Sequence, residues 1–165
     1  MPVNAFMKFS NDSQGESKQK GFEGDKGWFE IQSWDWEIEA ESSWTKGGGA
    51  SVGKPNPGKM NFEHYFDKSS PAIMRFICQG KSFDSAELNM CKTTGGPVPE
   101  QYFKMVMKNA YITKVSNSGT EEGNVTQKVE CVFKEVFIEY KAQKNDGKLD
   151  SAMKYHWNIP EGSVE

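Results

Sequence analysis

Residues 34–66 read WDWEIEAESSWTKGGGASVGKPNPGKMNFEHYF. Apolar and polar residues alternate at both ends of this stretch, and the part between them is rich in Gly, Ser, Pro and Lys. Alternation with a period of two is typical of β-strands that bury one face. We therefore expect two strands joined by an irregular loop over residues 42–58. A loop of this length in a compact domain indicates function, disorder or a surface that a partner uses.

The same alternation recurs along most of the chain. It shifts parity near Gln32 or Ser33, which we interpret as a β-bulge. A second shift, near Lys134, falls inside what we take to be one long strand. Many short strands predict a small β-barrel or a sandwich of two packed sheets. The expected strands span approximately residues 5–9, 29–38, 60–66, 88–90, 103–115, 129–140 and 153–159.

One segment has the pattern of a helix. In SSPAIMRFICQG, Ser70 can cap the amino end and Pro71 occupies a position where a missing N–H costs nothing. Gly80 can adopt the left-handed conformation that ends a helix. The sequence therefore predicts one α-helix over about residues 70–79, flanking the strands.

Length and charge narrow the class of protein. The 165 residues fit a single domain over residues 1–165, and the net charge is −3. Arg75 is the one arginine among 20 basic residues, which argues against nucleic-acid recognition. The start, MPVNAFMKFS, lacks the pattern of a signal peptide, and no apolar run suits a membrane span. We expect synthesis and folding in the cytoplasm.

Few residues offer catalytic or metal-binding chemistry. Cys78, Cys91 and Cys131 lie among apolar residues, and we expect all three to be buried and reduced. His64 and His156 show no spacing that predicts a metal site or a Cys–His nucleophile pair. No cofactor is expected.

The loop segment GGGASVGK carries part of a phosphate-binding motif. Gly48, Gly53 and Lys54 have the spacing of a P-loop, but Pro55 replaces the Ser or Thr that would bind magnesium. A turn and a strand follow in place of a helix, so no helix amino end faces a phosphate. Nucleotide binding is therefore not predicted.

Acidic residues share one face of the strand after the first parity shift. The opposite face is apolar and begins with Trp34 and Trp36. The polar face is either solvated or lines a cavity or channel. Its members are Ser33, Asp35, Glu37, Glu39 and Glu41.

An ordered series of motifs extends over nearly the whole chain. The motifs are AFMKF (5–9), GESKQK (15–20), SWDW (33–36), GGGASVGK (47–54), FDKSSPAIMRFICQGK (66–81), AELNMCKTTGG (86–96), FIEYKAQKNDG (137–147) and KYHWNI (154–159). With these motifs the chain resembles the Hcp (hemolysin-coregulated protein) family, the tube subunit of the bacterial type VI secretion system.

The resemblance implies a β-barrel of two sheets with one helix at its side. It implies hexameric rings that stack into a tube inside a contractile sheath, with a spike protein at the tip. Small effectors travel in the lumen, where the ring acts as receptor and chaperone. The resemblance implies no enzyme activity and no cofactor. It also implies cytoplasmic synthesis without a signal peptide, followed by secretion through the type VI system.

The resemblance also suggests roles for particular residues. Ser33, Asp35 and Glu37 are expected to face the lumen as an acidic patch. Residues 42–57 are expected to contact a neighbouring ring, with Trp44 either anchoring that contact or packing on its own barrel. The expected ring-stacking residues are Trp44, Lys46, Gly47, Gly48, Gly49, Val52 and Lys54.

Two other classes remain as alternatives. A lectin-like binding module would present exposed aromatic residues such as Trp28 or Trp44 to sugars. A β-barrel hydrolase would need a nucleophile and a base, for which the sequence shows no convincing candidates.

Overall fold

A computed structural model describes residues 4–10, 14–44 and 50–165, except for the side chains of residues 43, 44, 50 and 51. Within these residues the chain is mainly β, with one α-helix, α1 (Ser70–Gln79), and a 3-10 turn (Gly24–Lys26). The strands are β1 (Ala5–Phe9), β2 (Lys18–Gln19), β3 (Phe22–Glu23), β4 (Trp28–Glu30), β5 (Ser33–Asp35), β6 (Ile38–Trp44), β7 (Ala50–Pro57), β8 (Met60–Tyr65), β9 (Ser82–Lys92), β10 (Glu100–Gly119), β11 (Val125–Val132), β12 (Glu135–Gln143), β13 (Leu149–Asn158) and β14 (Ser163–Val164).

The strands close into a small β-barrel, as predicted. β1 pairs with β9, β9 with β10, β10 with β11, β11 with β8, and β8 with β5, all antiparallel. β4 pairs with the other edge of β1. Two consecutive residues join β4 to β5: Ile31 donates its N–H to the Ala5 carbonyl at 3.0 Å, and Gln32 donates to the Glu63 carbonyl at 2.8 Å. The circuit of hydrogen bonds is therefore complete.

This junction corrects the interpretation of the first parity shift. We predicted a β-bulge near Gln32 or Ser33, but the chain instead leaves β1 at Ile31 and joins β8 from Gln32 onward. Side chains exchange faces here because the backbone changes partner strand. The alternation of exposure then holds from Ser33 to Trp36 and ends where β6 begins, since Ile38 is 45% exposed.

The second parity shift marks a bend shared by two strands. The predicted single strand over 129–140 is two strands, β11 and β12, which follow each other along one edge of β10 with a break at residues 133–134. Opposite the break, Asn109 of β10 has a φ of 53°. β11 then pairs with β8, whereas β12 pairs with β13. The break is the point at which the two strands along this edge of β10 take different further partners.

Aromatic rings fill the barrel and connect it to the helix. Phe9 lies 4.5 Å from Phe83 and 6.1 Å from Phe29, measured between ring centroids. On α1, Phe76 stacks on Phe83 with a centroid distance of 4.0 Å. Because these rings come from β1, β4, β9 and α1, their burial stabilises the contacts between elements that are distant in sequence.

The helix has the predicted bounds, with a different cap. Ser69 is the N-cap residue, and the Ser70 hydroxyl accepts a hydrogen bond from the Asp67 N–H at 3.1 Å. The prediction that Ser70 caps the helix is therefore wrong, and Ser69, which occupies the N-cap position, makes no side-chain capping hydrogen bond either. Gly80 ends the helix at φ 65°, as expected for a left-handed C-cap.

β1 is buried on both faces. Phe6 points away from the barrel and stacks on Phe22 at 4.8 Å, in a second cluster that also contains Trp28 and Cys91. The polar segment before Trp28 lies close to the backbone beside this cluster. A Cβ on Gly15 would be 1.9 Å from the Trp28 carbonyl oxygen. Only glycine permits that approach.

The segment predicted as an irregular loop is largely a β-hairpin. β6 and β7 pair antiparallel from Ile38–Pro57 to Trp44–Ala50, with a register shift between Ala40 and Ser42. The apolar pattern of residues 42–58 did not predict strands, because this segment is rich in Ser, Gly and Pro. Its ladder consists of backbone hydrogen bonds, which do not depend on that pattern. The hairpin forms a sheet of its own, apart from the barrel.

A chain of polar groups leads from the barrel core, where His64 and Gln127 are buried, to exposed Asn117 and on to α1. His64 is fully buried, and its Nε2 lies 2.7 Å from Gln127 Oε1. Gln127 donates from Nε2 to Asn117 Oδ1 at 3.0 Å, and Asn117 donates to the Met74 sulfur at 3.4 Å. Since Gln127 uses its amino group on Asn117, its oxygen faces His64, and Nε2 of the imidazole carries the hydrogen.

Among the residues that the structure describes, none forms a hydrogen bond with the other imidazole nitrogen. His64 Nδ1 is buried and lies 4.0 Å from Asp67 Oδ1. Burial lowers the pKa of His64 below its ordinary value of 6.5, although the Gln127 hydrogen bond and the Asp67 charge act in the opposite direction.

We expect the free energy of unfolding to fall as the pH decreases below about 6.5. The unfolded chain then binds a proton at His64 more readily than the folded chain does, so protons favour unfolding. Urea unfolding between pH 7 and 5.5, at concentrations where the chain is monomeric, measures this slope. His64→Gln should flatten it and His156→Gln should leave it intact; a wild-type chain without the slope would contradict the assignment.

Candidate assembly surfaces

Three adjacent strands present polar side chains on the outside of the barrel. In register, Ser33 lies opposite Glu63, and Asp35 lies opposite Asn61. The next strand continues both rows, with Lys128 opposite Glu63 and Glu130 opposite Asn61. We call this surface the polar wall: Ser33, Asp35, Asn61, Glu63, Lys128 and Glu130.

The polar wall is predominantly acidic. It carries three carboxylates and one lysine, and it surrounds a shallow depression of ≈ 250 Å³. Asn61 donates from Nδ2 to Asp35 Oδ2 at 3.2 Å, which orients that carboxylate. At the rim, Lys59 Nζ lies 3.6 Å from Glu130 Oε2. The depression is open to solvent, so these charges act on whatever approaches the wall.

The structure brings together two of the three residues predicted to face a lumen. Ser33 and Asp35 line the depression, whereas Glu37 lies beyond the end of β5, at the base of the hairpin. Sequence analysis did not find the other members of the wall. Their alternation with buried Phe62 and Val129 was visible, but only the register reveals which residues of separate strands are neighbours.

The β6–β7 hairpin leaves the barrel at a narrow junction. Gly58 donates its N–H to the Glu37 carbonyl at 2.8 Å, and the Trp36 indole donates to the Gly58 carbonyl at 3.1 Å. A Cβ on Gly58 would lie 2.9 Å from Glu37 Cγ, so the two strands approach closely only because this residue is glycine.

The hairpin has two chemically distinct faces. One face carries apolar side chains in register, with Ile38 opposite Pro57 and Ala40 opposite Pro55. The other carries Glu39, and the alternation places Glu37 and Glu41 on the same side. Both faces are exposed over residues 38–42 and 52–57. An isolated two-stranded hairpin is marginally stable in water, so this one gains stability when another surface covers it.

Proline blocks the outer edge of β7. Because Gly58 and Asn56 direct their N–H groups toward β6, the alternation directs the backbone nitrogens of Pro55 and Pro57 to the free edge. Those nitrogens carry no hydrogen. The edge therefore lacks the donors that another strand would need for pairing there.

The predicted ring-stacking residues are only partly described. Val52 is 71% exposed, and Lys54 is also exposed on β7. Trp44 is the last residue of β6, and its side chain lies outside the described part of the structure. Lys46, Gly47, Gly48 and Gly49 lie outside the described residues.

The cysteines differ from expectation at one position. Cys78 is exposed on α1, so the prediction that all three are buried is wrong; Cys91 and Cys131 are buried and unpaired. Burial raises the pKa of the Cys91 thiol to about 11 and that of the Cys131 thiol to about 12. These two thiols stay protonated at neutral pH and are poor nucleophiles.

Two further observations bear on ligand binding. Trp28 is 8% exposed and in edge contact with Phe22, so it is no platform for a sugar, contrary to the lectin alternative. Among the described residues, three or more His, Cys, Asp or Glu side chains nowhere converge as a metal site requires. The described helix has ten residues and is too short to cross a membrane.

Comparison with known proteins identifies the family. Residues 6–140 match the family described as the type VI secretion system effector Hcp. The chain is 34% identical over 161 residues to protein hcp1 of Pseudomonas aeruginosa, covering 96% of both chains. This chain belongs to the Hcp family of the type VI secretion system.

Solved structures show the same fold. Hcp1 from Salmonella typhimurium superposes with a TM-score of 0.79 at 26% identity, covering all of both chains. A structure described as a type six secretion system protein has a TM-score of 0.88 at 20% identity, covering 99% of this chain and all of the other.

Replacing both edge prolines should promote aggregation. Pro55→Ala with Pro57→Ala supplies two N–H donors at the free edge of β7, and exposed edges with donors invite strand pairing between chains. We expect faster growth of thioflavin T fluorescence than in the wild type.

Asn56→Ala is the matched control. The Asn56 N–H already faces β6, so truncation of this side chain adds no N–H donor to the free edge of β7. Equal aggregation rates for the double variant and this control would show that the prolines do not protect the edge.

Proposed function

We propose that this chain is a structural tube subunit that forms homohexameric rings. The rings stack into an inner tube inside the type VI sheath, and the tube is exported with the spike protein at its tip. Small effectors occupy the lumen, where the ring acts as their receptor and chaperone. The subunit is a single domain over residues 1–165, performs no catalysis and uses no cofactor.

The exposed hairpin is the observation that carries the proposal. Its apolar face includes Ile38, 45% exposed, and continues through Ala40, Pro55 and Pro57. Fully burying an aliphatic side chain of this size contributes about 1.5–3 kcal/mol. A stacked copy supplies the covering surface that the single chain lacks. Residues 42–57, with Trp44, Lys46, the three glycines, Val52 and Lys54, form the stacking element.

The polar wall supports the assignment of a lumen. A strand face that is exposed yet continuous across β5, β8 and β11 suits a passage through which cargo slides without tight binding. Ser33, Asp35 and Glu37 face this passage. The carboxylates of Asp35 and Glu37 favour basic or polar cargo weakly, because salt screens exposed charges.

The burial of two of the three thiols and of one of the two imidazoles supports a role without catalysis. The buried thiols of Cys91 and Cys131 have raised pKa values, and the imidazole of His64 has no solvent-accessible surface. An active site needs a reactive group that a substrate can reach.

Native mass spectrometry and negative-stain electron microscopy test the assembly. We expect six copies in the ring, and rings that stack at high protein concentration. Replacing residues 41–54 by a short Gly-Ser turn should keep the ring and remove the stacks, since the barrel closes without the hairpin. A wild-type chain that stays monomeric at high concentration would overturn the proposal.

Asp35→Lys should change cargo retention without disturbing the ring. It alters the charge of the polar wall by two units at an exposed position. In co-purification assays, the variant should retain less basic cargo and more acidic cargo than the wild type. This difference should shrink as the salt concentration rises, because salt screens the charges. Glu121→Lys is the control, because it makes the same charge change in the exposed turn between β10 and β11 and not in the polar wall. Equal retention of several cargoes by both variants would exclude the role of Asp35.

A further inference from the structure

The buried Nδ1 of His64, which finds no hydrogen-bond partner in the described part of the chain, faces the turn that leads into α1. It lies 4.0 Å from Asp67 Oδ1, and the Asp67 side chain is 11% exposed. This separation is too long for a hydrogen bond. A shift of about 1 Å by the carboxylate would bring it within the range of a charge-assisted bond.

The same carboxylate oxygen holds the first residues of α1. Asp67 Oδ1 accepts hydrogen bonds from the Ser69 N–H at 2.8 Å and from the Ser69 hydroxyl. Ser69 is the N-cap residue, and its carbonyl accepts from the Ile73 N–H at 3.2 Å. Because Ser69 is buried, water cannot readily replace the carboxylate as its acceptor. The amino end of α1 therefore depends on where this oxygen points.

The other described neighbours of the imidazole are uncharged. The rings of Phe29 on β4 and Phe62 on β8 lie 4.9 and 5.7 Å from that of His64, measured between centroids. On β11, Gln127 is neutral, and its Oε1 already accepts the Nε2 hydrogen. Of these groups Asp67 alone carries a charge, so it is the partner that an imidazolium would attract.

An acidic cleft connects Asp67 to solvent. Asp67 lines a cleft of ≈ 280 Å³ together with Tyr65 and the charged side chains of Glu16, Lys18 and Glu30. These three charged residues are exposed, so the cleft is open to water. Three carboxylates against one ammonium attract cations, including protons, to the Asp67 side of the imidazole.

We propose that His64 and Asp67 form an acid-responsive switch at the amino end of α1. When the imidazole takes up a proton from solvent at Nδ1, the new N–H requires an acceptor, because an unpaired charged donor costs much free energy inside a protein. The Asp67 carboxylate turns toward it and releases the Ser69 N–H and hydroxyl. The first turn of α1 then opens, while the Nε2 bond to Gln127 keeps β8 and β11 together.

Hydrogen–deuterium exchange across the start of the helix measures this opening. We expect the protection of the Ser69 and Ile73 amides to fall roughly tenfold between about pH 7 and pH 5, after correction for the intrinsic pH dependence of exchange, since a hydrogen bond to a charged group is lost. Amides in the middle of β8 and β11 should keep their protection, because the opening is local.

Asp67→Asn is the matched variant. Its amide oxygen can still accept the Ser69 hydrogen bonds, but it carries no charge to pair with the imidazolium. Protection at Ser69 should then no longer depend on pH. The pKa of His64, followed by NMR of nitrogen-15-labelled histidine, should fall further, because the Asp67 charge raises it. His156→Gln assigns the two imidazole signals and should leave the response of the helix intact.

Four results would contradict the switch. The first is a folded chain in which His64 does not titrate down to about pH 5. The second is a His64 that titrates with no change at Ser69; in that case the Tyr65 backbone, which also favours the protonated imidazole, has taken the new hydrogen. The third is an equal loss of protection in Asp67→Asn, and the fourth is a uniform loss over the barrel strands. None of these results bears on the proposed rings, which the copy number tests separately.

Discussion

The change of partner between β4 and β5 is the constraint on which the rest of the structure depends. At Ile31 and Gln32 the backbone ends its pairing with β1 and begins its pairing with β8, through two consecutive hydrogen bonds. This step closes the barrel and leaves its strands without free edges at that point. It also turns Ile31 and Phe29 inward, so that the ring of Phe29 meets Phe9 in the core.

Closure divides the molecule into a barrel that is stable by itself and a β6–β7 hairpin that depends on another surface for burial. Inside the barrel, aromatic rings pack on one another, and Gln127 provides buried His64 with a hydrogen bond to its Nε2. The β6–β7 hairpin has no such partners in the described part of the chain, and its side chains face solvent on both sides. A barrel that is stable by itself and a hairpin that another surface must bury are suited to assembly from copies that have already folded.

The edge prolines determine how that assembly proceeds. Pairing through a bare strand edge has little selectivity, because every backbone offers the same donors and acceptors. With Pro55 and Pro57 at the outer edge of β7, association depends on side chains. Side chains recognise a particular surface, and the acidic and apolar faces of the hairpin give that recognition an orientation.

The sequence by itself determined the local elements and the family. Its alternation located most barrel strands, and the Pro71 and Gly80 signals gave α1 within its observed bounds, since these features depend on neighbours a few residues apart. It also identified Ser33 and Asp35 as outward residues. It extended the strand alternation to Glu41 and so predicted the first part of β6, but it missed the end of β6 and all of β7, where backbone hydrogen bonds join segments rich in Ser, Gly and Pro.

Tertiary structure alone decided which of these residues act together. The polar wall exists because register places Asp35, Asn61 and Glu130 side by side, although 69 residues separate Asn61 from Glu130 in the chain. The parity shifts at residues 32 and 134 were visible in the sequence, but their cause was a change of partner strand at the first and a break between β11 and β12 at the second. Pairing between distant strands depends on the shape of the whole barrel, and no local pattern encodes it.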